Sequence, residues 1–387
     1  MDCTYLKLRC NKWKKFKTLD ILKHSCWHVF GKVSIINTTT LLLLLILYFS
    51  MFDGIPKEDF IEPAFIPNDN TKELSFMCNE TFNSSLEENL DVIQNYPRGI
   101  ADDYLWKVGV NMSEPYRMKE FPVFATAIDR KYYPQSQGLF HSLHKRFLEN
   151  PKYAKNVKII VYDLGMTSRQ LRMVLKHCKC EIRRFPFDQF PPHVKVLHTY
   201  AFKPIIVQQL LMEFGFVWWM DSSVRFTTND IDSAVMYTKK YSMLYTVSTS
   251  DRVELSLTKQ TDGRTFKFLG EDRCKFRPFG ETWATTVMFH YDRMSRAVVQ
   301  AWATCALNQD CIAPTGSLEK ILCHMEQTFD GRCHRFDQSV LSIITRRLFH
   351  EQNVYPLDKT LNDIYVIKRG DIVPYFESCR PIIKCIL

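Results

Sequence analysis

Five uncharged residues, Phe216-Val217-Trp218-Trp219-Met220, run straight into Asp221-Ser222-Ser223. A strand without a polar break reads as covered on both faces, and in an open α/β sheet ligands bind beyond the carboxyl ends of the strands. A carboxylate and hydroxyls projecting from such an end can hold a hard divalent cation, which can in turn neutralise a diphosphate leaving group. The same three residues suit a turn or a helix N-cap, and spacing alone does not separate the readings. Further along, Asp337-Gln338 opens a segment carrying Val340, Ile343, Ile344 and Leu348. Asp337 can orient a substrate hydroxyl, or can serve as an ordinary acid at a helix start, where it favours the dipole. Lys203, Arg225 and Arg335 can meet phosphates, with core or surface pairing as the common use. His290, His324 and His350 stand alone, and a lone histidine is more often structural. Trp218 and Trp219 read as core.

These residues need elements to position them. Phe121–Ile128 is an apolar run ending at Asp129 and reads as a strand. Pro134–Leu148 carries Leu139, Leu143 and Phe147 at fourfold spacing, an amphipathic helix stopped by Asn150-Pro151. Val157–Tyr162 is β-branched. Thr167 and Gln170 have capping-box spacing, with Leu171, Val174, Leu175 and Cys178 facing inward behind them. Cys180–Phe187 reads as a strand. Pro204 falls near a helix start and Gly215 at a helix end, with Ile206, Leu210 and Phe214 on one side. Trp283–His290 reads as a strand and Asp337–Leu348 as a helix. Ile364–Ile367 and Ile372–Tyr375 suit a hairpin around Lys368-Arg369-Gly370-Asp371, in which Arg-Gly-Asp is a turn. Strands alternating with helices imply an α/β domain with a parallel sheet.

The chain has 387 residues and a net charge of +9. Residues 1–32 hold eight Lys or Arg against two Asp, so the excess is largely a short arm and nucleic acid is not an expected partner. Residues 33–52 are uncharged and long enough to cross a bilayer, and the basic arm places the N-terminus on the cytosolic side. Residues 53–115 are rich in Pro, Asn and acids and read as a stem. They hold the acceptor triplets at Asn79, Asn83 and Asn111. The folded domain is expected over residues 116–387. Ten of the 13 cysteines follow the apolar run, an even number that permits full pairing in an oxidising space. Cys305/Cys311 and Cys323/Cys333 suit local loops. His324 and His334 beside cysteines match no paired zinc spacing.

Three segments resemble the GT-A fold of nucleotide-sugar-dependent glycosyltransferases. Phe121–Ile128 with Pro134–Phe147 is similar to the strand and helix that face the nucleotide, which implies a nucleotide-side role for Asp129. Trp218-Trp219-Met220-Asp221-Ser222-Ser223 is similar to the segment carrying the family's Asp-x-Asp metal motif. Phe336-Asp337-Gln338-Ser339-Val340-Leu341 is similar to the Asp-Gln helix start of glycogenin-like enzymes. Tyr162-Asp163-Leu164-Gly165, Tyr200-Ala201-Phe202-Lys203-Pro204 and Cys333-His334-Arg335-Phe336 also resemble a nematode-expanded family of type II membrane proteins of unknown function.

The resemblance implies a GT-A-like mixed, mostly parallel sheet flanked by helices in a Golgi or other secretory-pathway lumen, behind one membrane helix. Its activity would move a sugar from a nucleotide diphosphate donor to a glycan or glycoprotein acceptor. It implies Asp221, Asp337 and Gln338 as catalytic residues, with Asp129, Ser222 and Arg225 on the donor. Asp221 and Ser223 would be metal ligands for Mn²⁺ or Mg²⁺. Ser223 stands where the family has its second acid, which favours the rival reading of an inactive carbohydrate-binding or scaffolding ectodomain.

Overall fold

The structure is a computed structural model and describes residues 78, 81–247, 256–323, 329–350 and 363–378. The expected membrane span at residues 33–52 lies outside these, as do His324, Cys379 and Cys385. Among the described residues no helix is long and apolar enough to cross a membrane.

A six-stranded sheet organises the domain. Its strands are β1 (Val123–Ile128), β2 (Lys158–Asp163), β3 (Glu181–Arg184), β4 (Phe216–Met220), β6 (Met243–Val247) and β7 (Thr282–His290), in the order β3-β2-β1-β4-β7-β6. Strands β1, β2, β3 and β4 run parallel, while β7 runs antiparallel to both neighbours. A separate ribbon pairs β5 (Val224–Phe226) with β8 (Tyr365–Ile367). The expected hairpin therefore does not form. The buried Val224 and Phe226 of β5 give Tyr365–Ile367 an apolar partner, whereas Ile372 is exposed.

Side chains alternate across a strand, and β4 shows why its sequence has no polar break. Val217 and Trp219 enter one core with Ala125 of β1 and Val287 of β7. Phe216, Trp218 and Met220 enter the other with Phe124 and Met288. Trp218 satisfies its indole N–H on Thr286 Oγ1 at 2.9 Å. The first face is covered by α4 (Phe202–Phe214), α7 (Arg293–Ala306) and α8 (Asp337–Phe349). The second is covered by α2 (Tyr133–Leu143), α3 (Ser168–His177) and α5 (Asp232–Tyr241). Helix α3 opens on the Thr167/Gln170 capping box. Helix α4 is apolar all round because it is enclosed, with Ile205, Ile206, Leu210 and Leu211 fully buried. It ends on Gly215 at φ +69, the left-handed cap that glycine alone adopts without strain.

The folded domain starts earlier than the stem expectation placed it. Helix α1 (Leu86–Gln94) is capped by Ser85, and its Leu90 and Ile93 join Leu105 and Val108 in the first core. Those apolar positions are separated by polar residues, so a Pro- and Asn-rich composition concealed an amphipathic pattern. Ion pairing fixes this segment. Glu271 is buried and accepts from Tyr96 Oη and from Arg347 Nε, each at 2.7 Å, with a second contact from Arg347 Nη2.

Among the described residues four disulfides join Cys78–Cys274, Cys178–Cys180, Cys305–Cys311 and Cys323–Cys333. The two local loops expected from spacing are among them. His334 hydrogen-bonds the Ile312 carbonyl and the Asp262 amide, a structural use.

Arg347→Met removes the two-contact partner of the buried Glu271 charge and leaves it only the longer pair with Lys275 Nζ at 3.6 Å. We expect a loss of about 3–5 kcal/mol in denaturant titration, against about 1 kcal/mol for Tyr96→Phe, which deletes one hydrogen bond. Equal losses in the two variants would contradict the dominance of the buried charge.

Candidate active site

The carboxyl ends of the parallel strands open into a cavity of about 570 Å³. Ala127 and Asp129 reach it from β1, Leu164 from β2, and Trp219, Asp221, Ser222 and Ser223 from β4. Ala284 and Thr285 come from β7, which runs the other way and so contributes its early residues.

The floor of the cavity is a three-group ionic cluster. Lys203, the second residue of α4, is 3% exposed. Its Nζ lies 3.1 Å from Asp221 Oδ1 and 2.7 Å from Asp337 Oδ2, and donates to the Ala284 carbonyl at 3.1 Å. The ammonium thus has one hydrogen bond and two carboxylates at ion-pair distance. The same Asp221 oxygen accepts from the Trp219 indole at 2.9 Å. That bond follows from strand alternation, since residues 219 and 221 share the α4 face. Asp221 remains about a third exposed toward the cavity, with a side-chain exposure of 35%, whereas Asp337 is at 5%.

Backbone strain sits beside two of these residues. Tyr200, just before α4, and Phe336, just before α8, adopt φ values of +53 and +50. Non-glycine residues rarely occupy this region, and such strain concentrates at functional sites. Both turns launch a helix that carries a member of the cluster in its first turn.

Burial pushes the Asp337 carboxyl up to about 6, against the pull of Lys203, and Asp221 adds to the rise. For Lys203, burial lowers the affinity for its proton, but the two carboxylates outweigh it and hold the ammonium above its ordinary range. Glu281 is pushed up to about 8, chiefly by burial. It accepts from the Gln338 side-chain amide at 2.8 Å, which fixes that amide at the cavity wall.

Six of the seven residues nominated from sequence line one cavity: Asp129, Asp221, Ser222, Ser223, Asp337 and Gln338. Asp129 Oδ1 also caps the turn into α2 by accepting from the Tyr132 amide at 2.7 Å. Ser222 Oγ accepts from the Gln135 side chain at 2.7 Å. Arg225 sits behind the wall instead. Its guanidinium is spent on the carbonyls of Ser222, Val224, Gln135 and Asp371, so it is a brace rather than a phosphate contact. Gly138 makes room for it, because a Cβ there would lie 2.3 Å from Arg225 Nε. His290 lies at the far end of β7, paired with Phe216, away from the cavity. The sequence offered Lys203 as a phosphate contact, whereas the structure spends it on Asp221 and Asp337. Lys131 and Gln135 carry no local pattern, and Arg369 reads only as part of a turn.

A divalent cation does not fit this donor set. Asp221 Oδ1 is committed to Lys203 and Trp219, Ser223 is neutral, and an ammonium already occupies the space between the two carboxylates. Among the described residues no three His, Cys, Asp or Glu ligand atoms converge at the cavity.

Residues 78–208 match the family described as protein of unknown function (DUF1647). No curated protein matches the chain. Similar solved structures include the WbbM bifunctional glycosyltransferase in its apo form, at 13% identity over 50% of this chain and 37% of that one, with a TM-score of 0.35. The galactosyltransferase LgtC with donor and acceptor sugar analogs is similar at 12% identity over 58% and 70%, with a TM-score of 0.33. Core-mannan synthase A of Aspergillus fumigatus in a Mn/GDP form is similar at 9% identity over 60% and 73%, with a TM-score of 0.30. The chain thus spans little more than a third of the first of these.

The raised Asp337 group has a stability consequence. Its folded value of about 6 exceeds the ordinary 3.8, so the folded state keeps a proton that the unfolded state releases. The contribution is greatest below about pH 4 and is lost as pH rises to about 6. Wild type should therefore lose stability relative to Asp337→Asn across that window in denaturant melts. A constant difference between the two proteins would show that Asp337 does not titrate there.

Proposed function

We propose that this domain is a glycosyltransferase that takes a sugar from a nucleotide diphosphate donor and passes it to a glycan or glycoprotein acceptor. One observation carries the reading. Asp221 and Asp337, from separate elements, are clamped on one buried ammonium at the floor of a cavity beyond the carboxyl ends of the sheet. Its volume of about 570 Å³ lies in the range of small-ligand sites.

In this reading the Asp129 side faces the nucleotide and the Asp337-Gln338 side faces the sugar. Asp221, held by Lys203 and Trp219, accepts hydrogen bonds from sugar hydroxyls in a fixed direction, and so positions the anomeric carbon. Gln338, pinned by Glu281, presents its amide to the same sugar. The bond from the anomeric carbon to the diphosphate oxygen breaks with its electron pair leaving on the phosphate. The acceptor oxygen bonds to that carbon, and its proton leaves to a base. Asp337 has a carboxyl suited to sharing a proton near neutral pH.

The four disulfides favour an oxidising compartment. With the basic arm and the apolar run at 33–52, they support a type II membrane protein of the secretory pathway. Ser223 supports a second reading, in which the cavity binds a sugar nucleotide or glycan without turnover.

Transfer or hydrolysis of a panel of nucleotide sugars separates the readings. Turnover by wild type, with Asp221→Asn and Asp337→Asn each reduced about a hundredfold or more, supports the enzyme. Binding without turnover in wild type supports the second reading. Undiminished turnover in both variants removes the proposed roles.

A further inference from the structure

The cavity has cations that the ionic floor does not use. Lys131, Arg335 and Arg369 all line it, and among the described residues none of the three is in an ion pair. Arg335 makes a side-chain contact to Gln260 at 3.1 Å. Lys131 lies three residues past the end of β1 and is exposed. Arg369 is delivered by a strap that is fastened on both sides. On one side the Lys368 amide donates to the Ser223 carbonyl at 2.8 Å. On the other, the Gly370 amide donates to Gln135 Oε1 at 2.7 Å, and Arg225 donates to the Asp371 carbonyl at 3.1 Å.

The strap is thus anchored on the turn, Asp221-Ser222-Ser223, that a divalent cation would need. Ser223 contributes its carbonyl to the strap, and Ser222 Oγ accepts from Gln135, which also holds Gly370. The turn is occupied with positioning an arginine. A guanidinium suits a diphosphate because its fork pairs with two phosphate oxygens at once.

Resting on the reading of this cavity as a nucleotide diphosphate site, we propose that Arg369 and Lys131 neutralise the diphosphate and that no divalent cation takes part. The short donor set at Asp221 and the strap fastened to Ser223 are two sides of one arrangement. Losing the second acid removes the metal, and the strap supplies the replacement charge. On cleavage of the donor, the electron pair left on the diphosphate oxygen is stabilised by the guanidinium and the ammonium.

Titration of the full chain with UDP and with GDP tests this, in EDTA and in Mn²⁺. The expected result is binding of one of them with affinities in the two conditions within about twofold, weakened at least about tenfold by Arg369→Ala. Arg369→Lys should recover part of that loss, and rising salt should weaken binding steadily. Arg369 is exposed, so the alanine variant should melt as wild type does, which separates lost binding from lost folding. Binding that appears only with Mn²⁺, or is untouched by Arg369→Ala, overturns this inference and leaves the parent reading standing. No binding of either nucleotide in both conditions overturns the parent reading and this inference with it.

Discussion

The ammonium of Lys203 is the constraint on which the rest of the site depends. Taking a charge of this kind out of water costs several kcal/mol unless partners surround it. Its partners are the carboxylates of Asp221 and Asp337, by ion pairing, and the Ala284 carbonyl, by a hydrogen bond. Those partners belong to the end of β4, the start of α8 and the early part of β7, so the cation is satisfied only when all three elements have docked. The cluster therefore records correct assembly of the sheet with its helices, and it holds two carboxylates on one nitrogen, at 3.1 and 2.7 Å. Two strained turns, at Tyr200 and Phe336, precede the helices that bring Lys203 and Asp337 in. That strain persists because the ion pairs and the two cores over-determine the geometry.

Asp221 stands at the junction of two kinds of order. Its backbone amide donates to the Thr285 carbonyl at 2.8 Å, extending the sheet by one residue. Its side chain then follows from the alternation that puts Trp219 and not Trp218 beside α4. The indole of Trp219 and the ammonium of Lys203 share one carboxylate oxygen, leaving the other side of the group toward the cavity. A carboxylate held this way is rigid before any ligand arrives, which is what a positioning group needs.

Much of this was legible in the sequence because it is local. The break-free run at Phe216–Met220, the capping box at Thr167, the glycine after Phe214 and the acid after β4 each follow from backbone rules that operate over a few residues. What could not be read is set by distance in the chain. Lys203 is one basic residue in an apolar helix, and only the approach of Asp337 gives it meaning. Arg225 showed a charge but not that four carbonyls would consume it. Residues 86–108 hid a helical face beneath a polar composition, because the core they complete is built from α7 and α8, about two hundred residues later. The segment after Ile364 pairs with β5 instead of folding on itself, since a buried three-residue strand elsewhere offers a better apolar match than Ile372 does.

Charge in the cavity is layered, and the layering carries chemical meaning. The floor combines two carboxylates with one ammonium and so retains an excess of negative charge, tempered by the rise in the Asp337 proton affinity. The rim carries Lys131, Arg335 and Arg369. A ligand that is anionic at one end and rich in hydroxyl donors at the other satisfies both layers, the anion at the rim and the hydroxyls on the floor. A simple polyanion would meet repulsion below, and a neutral sugar alone would bring no negative charge to the rim. The proposed donor, a sugar joined to a diphosphate, would present its groups in that order.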